Sequence, residues 1–352
     1  MTTKERVKRM IARQEADRVP ITDHPWEGTI NRWHREGMPK DADWRDYFDV
    51  DKFEAISVDA SPRFKKQTIE DTDTYFVLET EYGAKIKYLK GEDSTPEFLD
   101  FKISDPIKWA AAKARVGHEK DRINWDRIKN ELPLWHSEGR WVEAGFWFGF
   151  DVTHSWIVGT ETLLVALMED PDWATDMFHT FLDANMALFD QIWDAGYRFD
   201  GMNFCDDMGF KGSQFFSVDV YRELILPAHK KAIAWAANHG IVSRLHSCGL
   251  VEPFIPDLME AGLTILNPLE VKAGMDPIHL KKTYGKKLTL HGGVNAVLWD
   301  KPAEIKAEIE RVIPVLKENG GYIFSSDHSI PNSVGLSDFK EIVAAVKKVG
   351  AY

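Results

Sequence analysis

From residue 199 onward the chain alternates short apolar runs with longer stretches of helical period. Phe199–Cys205 (FDGMNFC) reads as a strand. Ser217 then suits an N-cap, and a helical pattern runs to Gly240, with Pro227 expected to kink or divide it. Ile241–His246 is the next strand, and the helix after it stops at Gly262. Leu263–Glu270, Lys287–His291 and Tyr322–Ser326 follow as strands. The helices between and after them lie near Asp276–Tyr284, from Pro302 to Asn319-Gly320, and over Leu336–Val349. Strands that alternate with helices argue for an α/β fold with a parallel sheet.

Upstream, Val19–Thr22 and Trp141–Phe148 are further strands. Residues 25–138 are less regular. They contain one clear hairpin, YFVLETEYGAKIKYLK, with its turn near Tyr82-Gly83, and read as an elaboration on the first part of the fold. Trp173, Met177, Phe181, Ala184, Leu188 and Ile192 recur every three or four residues across Asp172–Ala195, the stripe of a core-facing helix. No linker or repeat interrupts the 352 residues, so one domain over 1–352 is expected. That length suits a barrel of eight strand–helix units carrying an insertion.

Composition narrows the function. Apolar residues make up 44% and charged residues 28%, as in a globular protein with a sizeable core. Net charge is −12 with no basic stripe, so a nucleic-acid partner is not expected. No apolar run is long enough for a membrane span, and none follows the basic N-terminus as a secretory signal would require. The expected location is the cytoplasm. Cys205 and Cys248 are the two cysteines, which leaves metal binding or plain burial rather than a disulfide framework.

In a barrel of this kind chemistry gathers at the carboxyl ends of the strands. Six expected strand ends carry polar groups there: Asp23 and His24, Asp206 and Asp207, His246 and Cys248, Glu270, His291, and Asp327 with His328. His246-Ser247-Cys248 can aim an imidazole and a thiolate at one Zn²⁺, and His328 offers a third ligand. A packed cysteine beside a hydrogen-bonded histidine would leave the same trace. Adjacent acids such as Asp206-Asp207 can also cap a turn; Asp207 is read as catalytic and Asp206 as substrate-binding. Glu270 and His291, on neighbouring strands, form a candidate acid–base pair. Trp147 and Phe148, within GFWFGFDVTHSW, suit a wall for a flat aromatic substrate, though such a cluster can equally be core. His24 and Trp26 join them as candidate substrate contacts.

DDMGFKGSQFFSVDVYRELILPAHKK, LHSCGLVEPFIPDLMEAGLTILNPLEVKAGMDP, YGKKLTLHGGV and GGYIFSSDHSIP resemble consecutive blocks of the uroporphyrinogen-decarboxylase superfamily. The likeness is strong over residues 140–352 and looser at DRVPITDHPWEGTINRW. It implies a (β/α)₈ barrel of that type. One branch of the superfamily comprises corrinoid-dependent methyltransferases, among which the coenzyme M methyltransferases bind zinc through a His-x-Cys pair and a distant Cys near the last strand. His246 and Cys248 match the pair, and His328 stands where the distant Cys would be. Replacing a thiolate by an imidazole makes zinc a stronger Lewis acid, better matched to an oxygen ligand.

The resemblance therefore implies a zinc methyltransferase that demethylates an O-methyl compound, with a methoxylated aromatic as the expected donor. The methyl group would pass to a corrinoid (cobalamin) on a partner protein. Methylcobamide:thiol methyl transfer and a metal-free lyase are the alternatives, and pairing with a second copy of the chain stays open. True decarboxylases of this superfamily hold their tetra-anionic substrate with an arginine-rich segment, and VPITDHPWEGT contains no arginine. Incubation with uroporphyrinogen under anaerobic conditions is expected to yield no coproporphyrinogen; its accumulation would reverse this exclusion.

Overall fold

The computed structural model describes residues 1–91 and 95–352. Its strands are β1 (Phe53–Ser57), β2 (Gln67–Asp71), β3 (Tyr75–Glu79), β4 (Ala84–Leu89), β5 (Glu97–Phe101), β6 (Trp141–Trp147) and β7 (Gly201–Cys205). β8 (Gly209–Phe210), β9 (Ser213–Gln214), β10 (Val242–His246), β11 (Ile265–Asn267), β12 (Thr289–His291) and β13 (Tyr322–Ile323) complete them. Seven lie in one sheet, in the order β1-β6-β7-β10-β11-β12-β13, and every pairing is parallel. Helices cover the outside, as parallel strands require.

The eighth position is filled by Val19–Thr22, which is bridged rather than laddered. Ile21 pairs in parallel with Phe324. Phe324 N–H donates to Pro20 O at 2.8 Å and Thr22 N–H to Phe324 O at 3.0 Å. On the other side Asp51 N–H donates to Ile21 O at 2.8 Å, and Ile21 N–H returns to Asp51 Oδ2 at 2.7 Å. These bonds close the sheet into the expected α/β barrel.

β1 is a barrel strand inside the stretch read as an elaboration. Its sequence, FEAIS, is too short to announce itself by alternation. The expected hairpin is present as β3 and β4, flanked by β2 and β5 in a four-stranded antiparallel sheet. Leu263–Glu270 is strand only as far as Asn267, because Pro268 has no N–H for the ladder. Around Pro227 the helix stays continuous. A π-helical turn at Tyr221–Ile225 precedes it and absorbs the missing hydrogen bond.

The core has two parts. Outside the sheet, Phe146 of β6 stacks on Phe189 of the long helix Pro171–Asp194, with ring centroids 4.7 Å apart. The amino ends of the strands are closed by the helix Thr3–Ile11. Its Val7 packs with Trp141, Ile265 and Ile323. Fully burying a side chain of this size contributes about 1.5–3 kcal/mol. Arg13 reaches into the same end and donates to Thr289 Oγ1 at 2.8 Å.

No helix among the described residues is long and apolar enough to cross a membrane. Parallel register sets Trp147, Cys205, His246 and Asn267 side by side at the carboxyl rim, with Asn203 and Arg244 one inward step below.

Asp51 has no exposed side-chain surface and pairs with Arg6 (2.9 Å) and Arg18 (2.5 Å) while holding Ile21. Asp51→Ala leaves Arg18 without a carboxylate, leaves Arg6 only Asp17, and opens the seam. It should lower unfolding free energy by about 3–5 kcal/mol, measured by denaturant titration; a loss below about 1 kcal/mol, the range of an exposed pair, would mean the seam does not depend on it.

Candidate functional site

β10 ends on His246, the turn after it carries Cys248, and the loop after β7 carries Asp207. One ligating atom from each lies within 4.8 Å of the other two. Cys248 Sγ is 3.5 Å from His246 Nε2, and that nitrogen is 3.9 Å from Asp207 Oδ1. The turn is held by two contacts. Cys248 N–H donates to Asp207 Oδ1 at 2.7 Å and Gly249 N–H to Glu270 Oε2 at 2.5 Å. Gly249 has φ +85°, and a Cβ there would meet the Gly209 carbonyl carbon at 2.0 Å, so the turn needs glycine.

Asn267 selects the histidine tautomer. Its Nδ2 donates to His291 O at 3.2 Å, which turns Oδ1 toward His246 Nδ1 at 2.6 Å. Oδ1 can only accept, so Nδ1 carries the proton and Nε2 presents its lone pair to Cys248 and Asp207. Burial, with Asp207 and Glu270 adding to it, pushes the Cys248 thiol well above its usual value. A cation is what would draw out the thiolate. Imidazole nitrogen, thiolate and carboxylate together match zinc, and three protein donors leave a fourth position for a reactant.

The trio borders a cavity of about 450 Å³ at the centre of the barrel. His24, His291 and His328 line it too. Burial lowers the affinity of all three for a proton, to about 4 for His24, so each is a neutral imidazole at pH 7. His328 lines the cavity without joining the compact donor group, and Trp26 sits beside it with ring centroids 6.4 Å apart. Asp207, read as catalytic, is in that group instead.

Other expected site residues stand behind the wall. Asp206 is fully buried; His229 Nε2 lies 2.8 Å from its Oδ2, and Asp151 N–H donates to its Oδ1 at 2.7 Å. It braces two loops and has no surface for a substrate. Phe148 is fully buried against Phe204. Trp147 turns away to Tyr82 and Trp156, its Nε1 donating to Asp151 Oδ2 at 3.0 Å. The expected aromatic wall is therefore core, and the aromatic ring on the cavity is that of Phe53. Glu270 is not on the lining. Its carboxylate holds the Gly249 amide and lies 3.3 Å from Lys272 Nζ.

Sequence reasoning missed Asn203, Asn267 and the pair Glu143–Arg244. Arg244 Nε reaches both Glu143 oxygens at 3.0 and 3.2 Å, its Nη2 bonds Oε2, and Trp141 Nε1 donates to Oε1 at 2.9 Å. A signal existed. Glu143 in WVEAGFW and Arg244 in IVSRLH are opposite charges inside strands of a sheet covered on its outer face, and such charges must find each other.

Asn267→Leu removes the tautomer lock while leaving the ligands. It should weaken zinc binding about 10–100-fold, read by titration against a competing chelator; unchanged affinity would show that Asn267 does not set the tautomer.

No curated protein matches the chain. Among solved structures, a methyltransferase from Methanosarcina mazei is similar over 99% of both chains, at 16% identity and a TM-score of 0.66. An amidohydrolase (12% identity, 85% of this chain and 84% of that one, TM-score 0.31) and an α-N-acetylgalactosaminidase from Bifidobacterium bifidum (9%, 85% and 51%, 0.35) are too distant to bear on the reading. The family model for uroporphyrinogen decarboxylase (URO-D) matches residues 145–349. That span is more than half of the 352 residues and includes β7 and β10 to β13, with every member of the donor group, so the chain belongs to the uroporphyrinogen decarboxylase family.

Proposed function

We propose that the protein is a zinc-dependent methyltransferase that moves the methyl group of an O-methyl compound to the cobalt of a corrinoid on a partner protein. The observation that carries this reading is the Asp207–His246–Cys248 group on the rim of an open, polar cavity. The likeness in fold to the Methanosarcina mazei methyltransferase supports it.

Asp207, His246 and Cys248 would hold the zinc, with Asp207 in the ligand place first assigned to His328. When bound, zinc supplies Lewis acidity to the ether oxygen, without which an alkoxide or phenolate is a poor leaving group. The residues around it orient and exclude. Asn267 keeps His246 Nε2 bare, and Glu270 keeps the Cys248 turn in place. His328, a neutral imidazole on the cavity, donates a hydrogen bond to the departing oxygen. A methoxylated aromatic fits as donor: about 450 Å³ is ample for one ring, and Phe53 offers it a flat apolar contact. The partner's corrinoid would approach from the open mouth.

Metal analysis should find about one zinc per chain, as one three-donor site requires, and Cys248→Ala should lose most of it while staying folded. With cob(I)alamin and 4-methoxyphenol, the absorbance change to methylcob(III)alamin should need zinc and fall strongly in His328→Ala. Full activity in metal-free protein would sink the proposal. Methylation of coenzyme M from methylcobalamin, with no ether cleaved, would reverse the direction of transfer.

A further inference from the structure

The deep end of the cavity holds three side chains that the metal reading does not use, and what they turn to the cavity are donors. Arg244 is 9% exposed and spends Nε and Nη2 on Glu143. Its Nη1 bonds to none of the described residues. Asn203 lines the cavity from the neighbouring strand, in register with Arg244. Its Oδ1 is closed off without a partner, so Nδ2 is the end of the amide that faces the cavity. Reversing the amide would bury an unpaired NH₂, which is tolerated less well than an unpaired carbonyl. His291, 3% exposed, stands one inward step above Thr289, which Arg13 bonds at the closed end. Its Nδ1 is closed off in the same way, which leaves Nε2 to face the cavity. A bare ring nitrogen is tolerated unpaired better than a buried N–H, so the proton belongs on Nε2.

Three donors with no acceptor among them define the group they can meet. It must be an oxygen with lone pairs to offer, and any hydrogen on it would point at N–H groups. Charge narrows the choice further. Arg244 is the one Lys or Arg on the lining among the described residues, and Glu143 neutralises it. Asp23, Glu54 and Asp207 line the same cavity. A ligand carboxylate at the floor would be a buried charge with no free cation to pair it. A neutral carbonyl oxygen meets both conditions, since it only accepts and adds no charge. The depth also suits it. Arg244 and Asn203 lie two residues below His246 and Cys205 on their strands, about 6.6 Å at the usual rise. One benzene ring spans that depth, with an ether oxygen at the donor group and a para carbonyl at the floor.

We propose that Arg244, Asn203 and His291 form a specificity subsite for a neutral carbonyl oxygen on the methyl donor, at the end remote from the methyl group, and that an alcohol or a carboxylate in that place is disfavoured. This deepens the proposed function by naming its substrate class, and rests on it for the seat of the methyl group.

Binding is measured by calorimetry on the zinc-loaded protein with no corrinoid present. The probes are 4-methoxyacetophenone, 1-(4-methoxyphenyl)ethanol, 4-isopropylanisole and 4-methoxybenzoate. The first three share one shape and differ in carrying a carbonyl, a hydroxyl or neither. The ketone should bind at least about tenfold more tightly than the hydrocarbon, which leaves the donors bare, and at least about fivefold more tightly than the alcohol, whose proton finds no acceptor. Asn203→Asp puts an acceptor where Nδ2 stands and should bring the alcohol level with the ketone or ahead of it. Arg244→Lys removes Nη1, keeps a charge facing Glu143, and should narrow the ketone's lead over the hydrocarbon. Thermal melting identifies which variants fold, and the four-probe series on the unsubstituted protein decides the proposal if neither does. Ketone and hydrocarbon binding alike would mean a floor filled by water only. An alcohol that binds as well as the ketone would mean an acceptor at the floor, and tighter binding of the benzoate would make it an anion site. Each of these, or no binding of any probe, overturns the proposal. A protein that prefers the ketone yet transfers no methyl group keeps this subsite and loses the methyltransferase reading. Methyl transfer without the preference does the reverse.

Discussion

Ile21 lies between Phe324 and Asp51: its own N–H and carbonyl bond Asp51, its neighbours Pro20 and Thr22 bond Phe324, and through those bonds eight parallel segments become a closed ring. Closure matters more here than the extent of any ladder. In an open sheet the inward side chains of distant strands would fan apart. In a closed one they converge on the axis, so that His24 from the first segment and His328 from the last line one cavity with His246 and Cys248. The seam is thin, and it is reinforced by charge. Asp51 gathers Arg6 and Arg18 on a carboxylate with no exposed surface, a geometry that is strongly unfavourable to break from one side.

Inside the ring the packing is polar where a structural barrel would be apolar. Glu143 and Arg244 occupy inward positions that branched aliphatic side chains commonly fill. Replacing such a pair with apolar residues of similar volume is often neutral or stabilising, so its presence argues for a use other than stability. The pair lines the cavity together with Asn203 and His291, which is where a use would be expected. The helix Thr3–Ile11 and Arg13 close the opposite end, leaving the carboxyl rim as the face at which the cavity and the donor group lie.

The acids of the rim divide into two sets. Asp207 contributes an oxygen to the donor group. Asp23, Asp206 and Asp327 are buried and spend their oxygens on the chain itself. Asp23 takes the N–H and Oγ of Ser326, and Asp327 takes the amides of Val271 and Ala296. Burial raises the proton affinity of all three, to about 6 for Asp23. These braces hold the rim loops in place, and the His246–Cys248 turn depends on them indirectly, through Glu270 and the loop that Asp327 anchors.

Sequence alone determined the alternation of strands and helices, the barrel class, and the rim as the place of the site. Hydrophobic period and the termini of helices are local properties, and the polar residues that end strands are visible without a fold. It also singled out His246 and Cys248, since two residues apart on one strand end is a geometry the backbone imposes by itself. Which acid joins them is not local. Asp206 and Asp207 are neighbours of the same type, and only the packing of β7 against β10 turned one toward Cys248 and the other toward His229. Asn267, β1 and the Glu143–Arg244 pair were decided the same way, because each acquires its role from a partner 21 to 101 residues distant. The aromatic run around Trp147 and Phe148 shows the converse. Its composition suited either a cavity wall or a core, and the choice fell to the helices and the antiparallel sheet that cover it, whose own apolar faces had nowhere else to go.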